Sequence, residues 1–365
     1  MKVLHVYKTY LPDDFTGVPR VIHSIAEGTA AKGIESHVFA LTRGADERSS
    51  RVGNHQVHRT RRDVQLASTD ISLRAFEAFR RYAAGADLIH YHYPWPFGDL
   101  LWLYAGRRKP SIVTYHSDIV KQLRLLKFYT PLRDRFLAGA AAIVATSPNY
   151  VASSPVLSRL PDRVEVIPIG IESRPVVDAD LRNNWHAQLG SDFFLFVGAA
   201  RYYKGIEFLL KAAAHSGLRV VIAGDADGLD QSTLPANVVT VGKVSDADKE
   251  ALLDLCRAFV FPSHLRSEAF GVALLEAARA GKPMISCEIG TGTTYVNLDE
   301  VTGVVVPPQS GQHIAQAMQI LADDQALATR LGTAAQERYS ALFTQEKMAT
   351  SYAELYRKLA PLKVR

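Results

Sequence analysis

Cysteine, tryptophan and methionine are scarce in this chain, at two, three and four residues among 365. Cys256 and Cys287 both fall in apolar segments. Two are too few for a disulfide framework, and they point to a reduced, cytoplasmic protein. No apolar stretch reaches the ~20 residues a membrane-spanning helix needs. The opening Met1-Lys2-Val3-Leu4-His5-Val6-Tyr7 reads as a short strand rather than a leader, because no long apolar region or cleavage site follows. There is no repeat, low-complexity tract, P-loop, zinc-ligand spacing or Gly-x-Ser-x-Gly elbow. Nucleic-acid binding is disfavoured too, since the basic residues do not cluster with a recognition motif.

What remains is an ordinary globular composition, 47% hydrophobic and 22% charged, in a chain long enough for two domains. Its charge is divided unevenly. Residues 1–170 hold 23 Lys+Arg against 15 Asp+Glu, and the rest hold 19 against 22. Eight of the twelve histidines also lie in the first part. Such a basic half could face nucleic acid, an anionic membrane or a phosphorylated ligand, or is a solvated face.

Apolar runs and amphipathic segments alternate along both halves. Residues 2–7, 36–41, 88–93, 112–115, 142–146 and 164–167 read as strands, with helices or helical turns over 18–32, 72–84, 129–138 and 154–159. The second half reads as strands at 193–197, 219–223, 238–241, 258–261, 284–287 and 304–306, with helices at 206–215, 246–256 and 270–280. From Gly311 onward the chain reads as helical. Strand–helix alternation means parallel sheets covered on both faces, an α/β class with two doubly wound domains. Pro168-Ile169-Gly170-Ile171-Glu172-Ser173-Arg174-Pro175 breaks the rhythm and is the expected linker. Ligands of such folds gather at the carboxyl ends of the strands, here expected in a cleft between the domains.

Several loops carry chemistry. Ser267-Glu268-Ala269-Phe270-Gly271-Val272 joins the strand at 258–261 to the helix at 270–280, with Glu276 expected about two turns inside that helix. A free helix N-terminus favours an anion, while a carboxylate beside it accepts hydrogen bonds from sugar hydroxyls. Gly198-Ala199-Ala200-Arg201-Tyr202-Tyr203-Lys204-Gly205 sets two cations after another strand, where both can reach a diphosphate. Phe15-Thr16-Gly17-Val18-Pro19-Arg20 links the first strand and helix, and Gly17 permits close backbone approach. His116 ends the strand Thr114-Tyr115, followed by Ser117 and Asp118; His90 and His92 end the strand before it. Lys121-Gln122-Leu123-Arg124-Leu125-Leu126-Lys127-Phe128-Tyr129, with Arg133 and Arg135, mixes bases and apolar residues. It suits an anionic membrane surface or an ordinary packing helix.

Ser-Glu-x-Phe-Gly at 267–271, Leu275-Glu276-Ala277 and Ala280-Gly281-Lys282-Pro283 together resemble the signature of the family 4 retaining glycosyltransferases of the GT-B fold. The resemblance runs from the Gly17 loop to Val306-Pro307-Pro308. It implies two facing Rossmann-like domains: an acceptor-side domain over 1–170, a nucleotide-sugar domain over 171–345, and a helix over 346–365 returning to the first. It implies that Glu268 contacts the donor sugar and Glu276 holds the ribose. Backbone N–H groups of Phe270, Gly271 and Val272 would meet the diphosphate with Arg201 and Lys204, and the Gly242-Lys243 loop would approach the base. His116 would hydrogen-bond the donor sugar. By their place at the strand ends, Ser117 and Asp118 could touch the acceptor hydroxyl, and His90 and His92 are either on the acceptor side or merely solvated.

The chain departs from the family where relatives carry Arg and it has Ala199, and where they carry a second Gly and it has Thr16. Arg201 lies two residues on from Ala199 and could supply the same charge. The runs His116-Ser117-Asp118-Ile119, Arg201-Tyr202-Tyr203-Lys204-Gly205 and Glu288-Ile289-Gly290-Thr291-Gly292-Thr293-Thr294-Tyr295 resemble a branch that handles GDP-activated mannose-type sugars. The expected partners are then a nucleotide-sugar donor and a saccharide or undecaprenyl-linked acceptor, as in bacterial lipopolysaccharide or exopolysaccharide assembly by mannosyl- and rhamnosyltransferases. The Asp-x-Asp pairs at Asp178/Asp180, Asp225/Asp227 and Asp246/Asp248 do not match the metal site of the other glycosyltransferase fold. No metal or other cofactor is expected, because a helix end and basic side chains take the metal's place. A non-hydrolysing nucleotide-sugar epimerase and a catalytically silent nucleotide-binding module remain as alternatives.

Overall fold

The computed structural model describes residues 1–44, 49–66, 69–119, 123–225 and 229–360. It divides into two compact units, Met1–Glu172 with Gln345–Arg365, and Ser173–Thr344.

The first unit contains β1 (Lys2–Val6), β2 (Glu35–Thr42), β3 (Ser49–Val52), β4 (His55–Arg61), β5 (Val64–Leu66), β6 (Thr69–Ile71), β7 (Leu88–Tyr93), β8 (Ser111–Tyr115), β9 (Ala142–Ala145) and β10 (Val164–Val166). Its helices are α1 (Val18–Ala30), α2 (Arg74–Ala84), α3 (Pro96–Tyr104), α4 (Leu123–Gly139) and α5 (Pro148–Ser153). The sheet order is β10-β9-β8-β7-β1-β2-β4-β3, parallel except for the edge hairpin of β3 and β4. Every residue of β7, β8 and β9 is buried, as a sheet covered on both faces requires.

The second unit contains α6 (Ala179–Leu189), β11 (Phe194–Val197), α7 (Ile206–Ser216), β12 (Val220–Ala223), β13 (Val238–Gly242), α8 (Asp246–Leu255), β14 (Ala258–Phe261), α9 (Val272–Arg279), β15 (Met284–Cys287), α10 (Thr293–Val296), β16 (Gly303–Val306), α11 (Gly311–Asp323) and α12 (Gln325–Leu342). Its order, β13-β12-β11-β14-β15-β16, is a wholly parallel doubly wound sheet. Phe194, Phe196, Val220, Ile222, Val260 and Ile285 from the sheet meet Leu209, Ile314, Met318 and Leu331 from the helices. The last helix, α13 (Gln345–Leu359), belongs to the first unit and packs along α1. There a Cβ on Gly28 would come within 2.7 Å of the Ala349 Cβ.

Local expectations are corrected in several places. The helical segment or turn expected over 154–159 is a 3-10 turn over Leu157–Arg159, and it is preceded by a short helix that was not expected, α5, which Ser147 caps by accepting from the Tyr150 N–H. The helix expected from Phe270 starts at Val272 instead, because Gly271 adopts φ 87° and breaks the preceding backbone out of register. Glu276 is therefore the fifth helical residue, little more than one turn inside. A one-turn helix, α10, follows the Gly290–Gly292 loop, where none was expected.

Candidate functional site

In both units the strand order reverses once, between β1 and β7 and between β11 and β14. The carboxyl ends flanking such a reversal open a crevice for ligands.

In the second unit, Lys204 closes the turn after β11 and Glu268 lies in the loop after β14. They meet in a short ion pair between Lys204 Nζ and Glu268 Oε2. Ser263 Oγ lies 3.5 Å from the same carboxylate oxygen. Lys204 Nζ also sits 4.7 Å from the Phe261 ring centroid, so an aromatic face helps to fix the ammonium. The pair retains 16% and 13% side-chain exposure, enough to be reached by a ligand. Two cations read from sequence as equivalent thus differ: Lys204 is built in, whereas the Arg201 side chain is exposed and makes no ion pair among the described residues.

Among the described residues no side chain caps α9, and its first turn holds no acidic residue, so the positive end of the helix is left open. Phe270 just before it is buried, its ring edge-on to Phe343 at 6.1 Å. A second loop braces this one. Gly292 N donates to Ala269 O at 2.8 Å, and Arg266 Nη1 donates to Gly290 O at 2.9 Å. Glu276 is buried, and its Oε1 accepts from Lys249 Nζ at 2.8 Å. Lys249 on α8 also donates to Asp246 Oδ1 at 2.7 Å. Sequence reading missed Lys249, whose only signal is its spacing from Asp246. Gly242 ends β13, and the exposed Lys243 Nζ pairs with Asp225 Oδ2 at 3.0 Å. His264 was also missed: it is buried between Tyr202 and Phe208 rings, with neither ring nitrogen hydrogen-bonded to a described residue.

In the first unit, Gly17 caps α1 with φ 55°; no side chain of a described residue hydrogen-bonds to that helix start, and its first turn holds no acidic residue. His116 follows β8 directly, and its Nε2 lies 3.0 Å from His92 Nδ1. His92 Nε2 in turn lies 3.1 Å from Nδ1 of His5, a residue sequence reading did not single out. Burial pushes His5 and His116 down to about 3 and takes His90 and His92 well below the usual imidazole range, so all four are neutral at pH 7. Ser117 is half-buried. Asp118 accepts from Ser154 Oγ at 2.7 Å, Tyr115 OH at 2.9 Å and Tyr150 OH at 3.1 Å. Those three hydroxyls give it a role in holding the turn after β8.

Among the described residues two clusters have metal-like proximity, His5/His90/His92 and His23/Glu27/His55. In the first, His90 is engaged by Tyr356 OH at 2.7 Å and Thr114 Oγ1 at 2.6 Å, and His92 by its histidine neighbours. In the second, Glu27 accepts from Asn54 N at 2.8 Å, Asn54 Nδ2 at 2.9 Å and His55 Nδ1 at 2.6 Å, clasping the β3–β4 turn to α1. Among the described residues no helix is long and apolar enough to cross a membrane.

Two doubly wound units, one of them with a cation and a carboxylate at its strand reversal beside an open helix end, have the fold of the GT-B glycosyltransferases. A solved sucrose-phosphate synthase from Thermosynechococcus elongatus superposes with a TM-score of 0.77 over 98% of both chains at 23% identity, which concerns the fold alone. Residues 178–338 match the model for glycosyl transferases group 1, and residues 15–174 match that for Glycosyltransferase Family 4. The chain is 45% identical to O-antigen chain mannosyltransferase C of Escherichia coli, over 98% of each. It is 47% identical to D-rhamnosyltransferase WbpZ of Pseudomonas aeruginosa, over 94% of this chain and 92% of that one. The chain belongs to glycosyltransferase family 4, and it is a hexosyltransferase.

Proposed function

We propose that this enzyme transfers a hexose of the mannose or rhamnose type from a GDP-linked donor to a saccharide or lipid-linked saccharide, with retention, during assembly of a bacterial surface polysaccharide such as O-antigen. The Lys204–Glu268 ion pair beside the open end of α9 carries the reading. It sets a cation for a diphosphate against a carboxylate for sugar hydroxyls. The mannosyltransferase and rhamnosyltransferase relatives support the sugar type.

In this reading the bond from the anomeric carbon to the diphosphate breaks as the acceptor oxygen bonds that carbon on the same face. The acceptor proton goes to the departing diphosphate. Lys204, Arg201 and the N–H groups of Phe270, Gly271 and Val272 stabilise the charge that grows on the leaving group, with Gly17 approaching the same phosphates. Glu268 and His116 orient the sugar, Glu276 takes the ribose, and Gly242 and Lys243 lie at the base. Ser117, Asp118 and His92 shape the acceptor side.

Membrane contact through 121–135 is part of the proposal. On α4, Lys127, Phe128 and Arg135 are exposed, Phe128 by 87%, whereas Arg133 is buried and pairs with Asp134 at 2.7 Å. Lys121 and Gln122 lie outside the described residues. The enzyme would then work in the cytoplasm, at the inner face of the cytoplasmic membrane.

The test is a thermal-shift panel of GDP, UDP and ADP sugars. It is followed by transfer from the stabilising donor to a mannose- or rhamnose-terminated acceptor, with the product anomer read by NMR. A donor at 100 times its Kd adds about 2.7 kcal/mol to stability. Stabilisation by GDP-mannose or GDP-rhamnose and a product of unchanged anomeric configuration are expected. Preference for a UDP or ADP sugar, an inverted product, or consumption of the donor without an acceptor would overturn the reading.

A further inference from the structure

Three imidazoles run in a line across the strand reversal of the first unit. His5 lies within β1, His92 within β7, and His116 just beyond β8, on three neighbouring parallel strands. His5 Nδ1 is 3.1 Å from His92 Nε2, and His92 Nδ1 is 3.0 Å from His116 Nε2. The rings lie nearly parallel, at 22° and 21°. His90, stacked 4.2 Å from His92, does not compete for these nitrogens because Tyr356 and Thr114 take both of its own.

The two ends of the line differ. His5 Nε2 is sealed in the unit with no partner among the described residues. His116 Nδ1 also has no hydrogen bond to a described residue, but it belongs to the most exposed of the three side chains, at 7%. Burial keeps each ring neutral, so each carries one proton. Two hydrogen bonds joining three singly protonated rings force all three protons onto the same kind of nitrogen. With protons on Nε2, His5 would bury an N–H that has no acceptor. With protons on Nδ1, it buries only an unused lone pair. Orphaned buried N–H groups are the rarer and costlier of the two.

We propose that His5 and His92 are positioning residues that lock His116 into its Nδ1–H tautomer, so that it offers a fixed hydrogen-bond donor to a hydroxyl of the donor sugar. The inference rests on the reading of His116 as a sugar contact, and it names the residues that make that contact directional. Which nitrogen of a histidine holds the proton is set by the hydrogen bond its other nitrogen makes. A free donor at Nδ1 would otherwise compete with the Nε2–H form that neutral imidazole prefers in water.

The decisive measurement is a two-bond proton–nitrogen correlation spectrum of the full chain labelled with ring-¹⁵N histidine, at neutral pH and without substrate. His116→Gln and His92→Phe variants assign the signals. His5, His92 and His116 should all be protonated at Nδ1. In His92→Phe, which keeps a flat ring in the stack, His116 should lose that single tautomer, and kcat/KM for the donor should fall ~10-fold, as for the outer partners of other functional histidines. An Nε2–H signal from His116 in the wild-type chain overturns the proposal, whether or not any variant folds. So does an unchanged Nδ1–H tautomer in folded His92→Phe. Wild-type turnover in folded His116→Gln would instead sink the reading of His116 as a sugar contact. The substrate-free spectrum tells that failure apart from failure of the histidine line.

Discussion

Lys204 is worth more to the site than an exposed basic turn would suggest, because its ammonium is paired with Glu268 and backed by Phe261. Truncating it removes a donor aimed where charge develops. Lys204→Ala should therefore cut turnover ~10²–10³-fold, in line with loss of an oxyanion-type donor. Glu268→Gln should also abolish most turnover. Circular dichroism should be unchanged in both folded variants, and wild-type rates in either would refute the assignment. Glu276 calls for a different experiment, since it is buried against Lys249. Removing one partner of a buried pair costs about 3–5 kcal/mol. Because Lys249 keeps Asp246, Glu276→Ala should fall toward the low end in urea unfolding, and Lys249→Met added to it should recover part of the loss. A Glu276→Ala variant of full stability would leave the carboxylate with a ligand role alone. At this scale the sequence displayed the residue types and loops, because Glu268, Lys204 and His116 stand beside strand ends that apolar runs mark out. It hid Lys249 and His5, whose roles depend on partners 27 and 87 positions away.

The elements that carry the site were legible where burial on both faces writes an apolar run, unbroken in β11 and β14 and interrupted only by single polar residues in β7 and β8. They were not legible where polar residues outnumber apolar ones. In β4, His55 and His58 take inward places, so the alternation of His55-Gln56-Val57-His58-Arg59-Thr60-Arg61 does not read as a strand. In α6, Leu189 is the one buried residue, leaving little apolar stripe to find. The helix was present all the same, capped by Asp178 accepting from the Leu181 N–H. The loop between β15 and α10 gives the clearest element-level prediction. A Cβ on Gly292 would come within 2.6 Å of Phe270 Cδ2 and 2.9 Å of Ala269 O, both in the loop that holds Glu268. Gly292→Ala should cost about 1–3 kcal/mol of overpacking. It should also lower turnover, because the loop can relieve the clash only by moving. Gly85→Ala, whose Cβ would meet nothing nearer than 3.8 Å, is the control. A destabilised Gly292→Ala with unaltered turnover would show that the strain is not passed to Glu268.

For the molecule as a whole, the buried histidines make the first unit acid-sensitive. His5 and His116 titrate at about 3 when folded, and His90 and His92 well below their usual value, in each case mainly through burial. The unfolded chain takes up these protons near pH 6.5, so between that value and about 3 it binds more protons than the folded chain. Stability therefore rises with pH across this window and is lost as pH falls below about 6.5. Each fully contributing histidine adds about 1.4 kcal/mol per pH unit to the slope. Buried Asp99 opposes them, since its carboxyl is pushed up by burial despite Tyr129 and Arg133 and is more easily protonated when folded. One carboxyl against these four imidazoles, with His23, His55 and His58 of the same unit also lowered by burial, leaves the sign with the histidines. Tryptophan can follow this unit separately, because Trp95 and Trp102 lie in it and Trp185 in the other. In a Trp185→Phe chain, the urea midpoint read by fluorescence should fall steadily from pH 7 to pH 4. Replacing His90 by Gln should flatten that slope, since one buried imidazole no longer resists charging. A midpoint independent of pH over this range would mean that the four imidazoles hold their protons as readily folded as unfolded, so that the line from His5 to His116 would charge as pH falls below about 6.5.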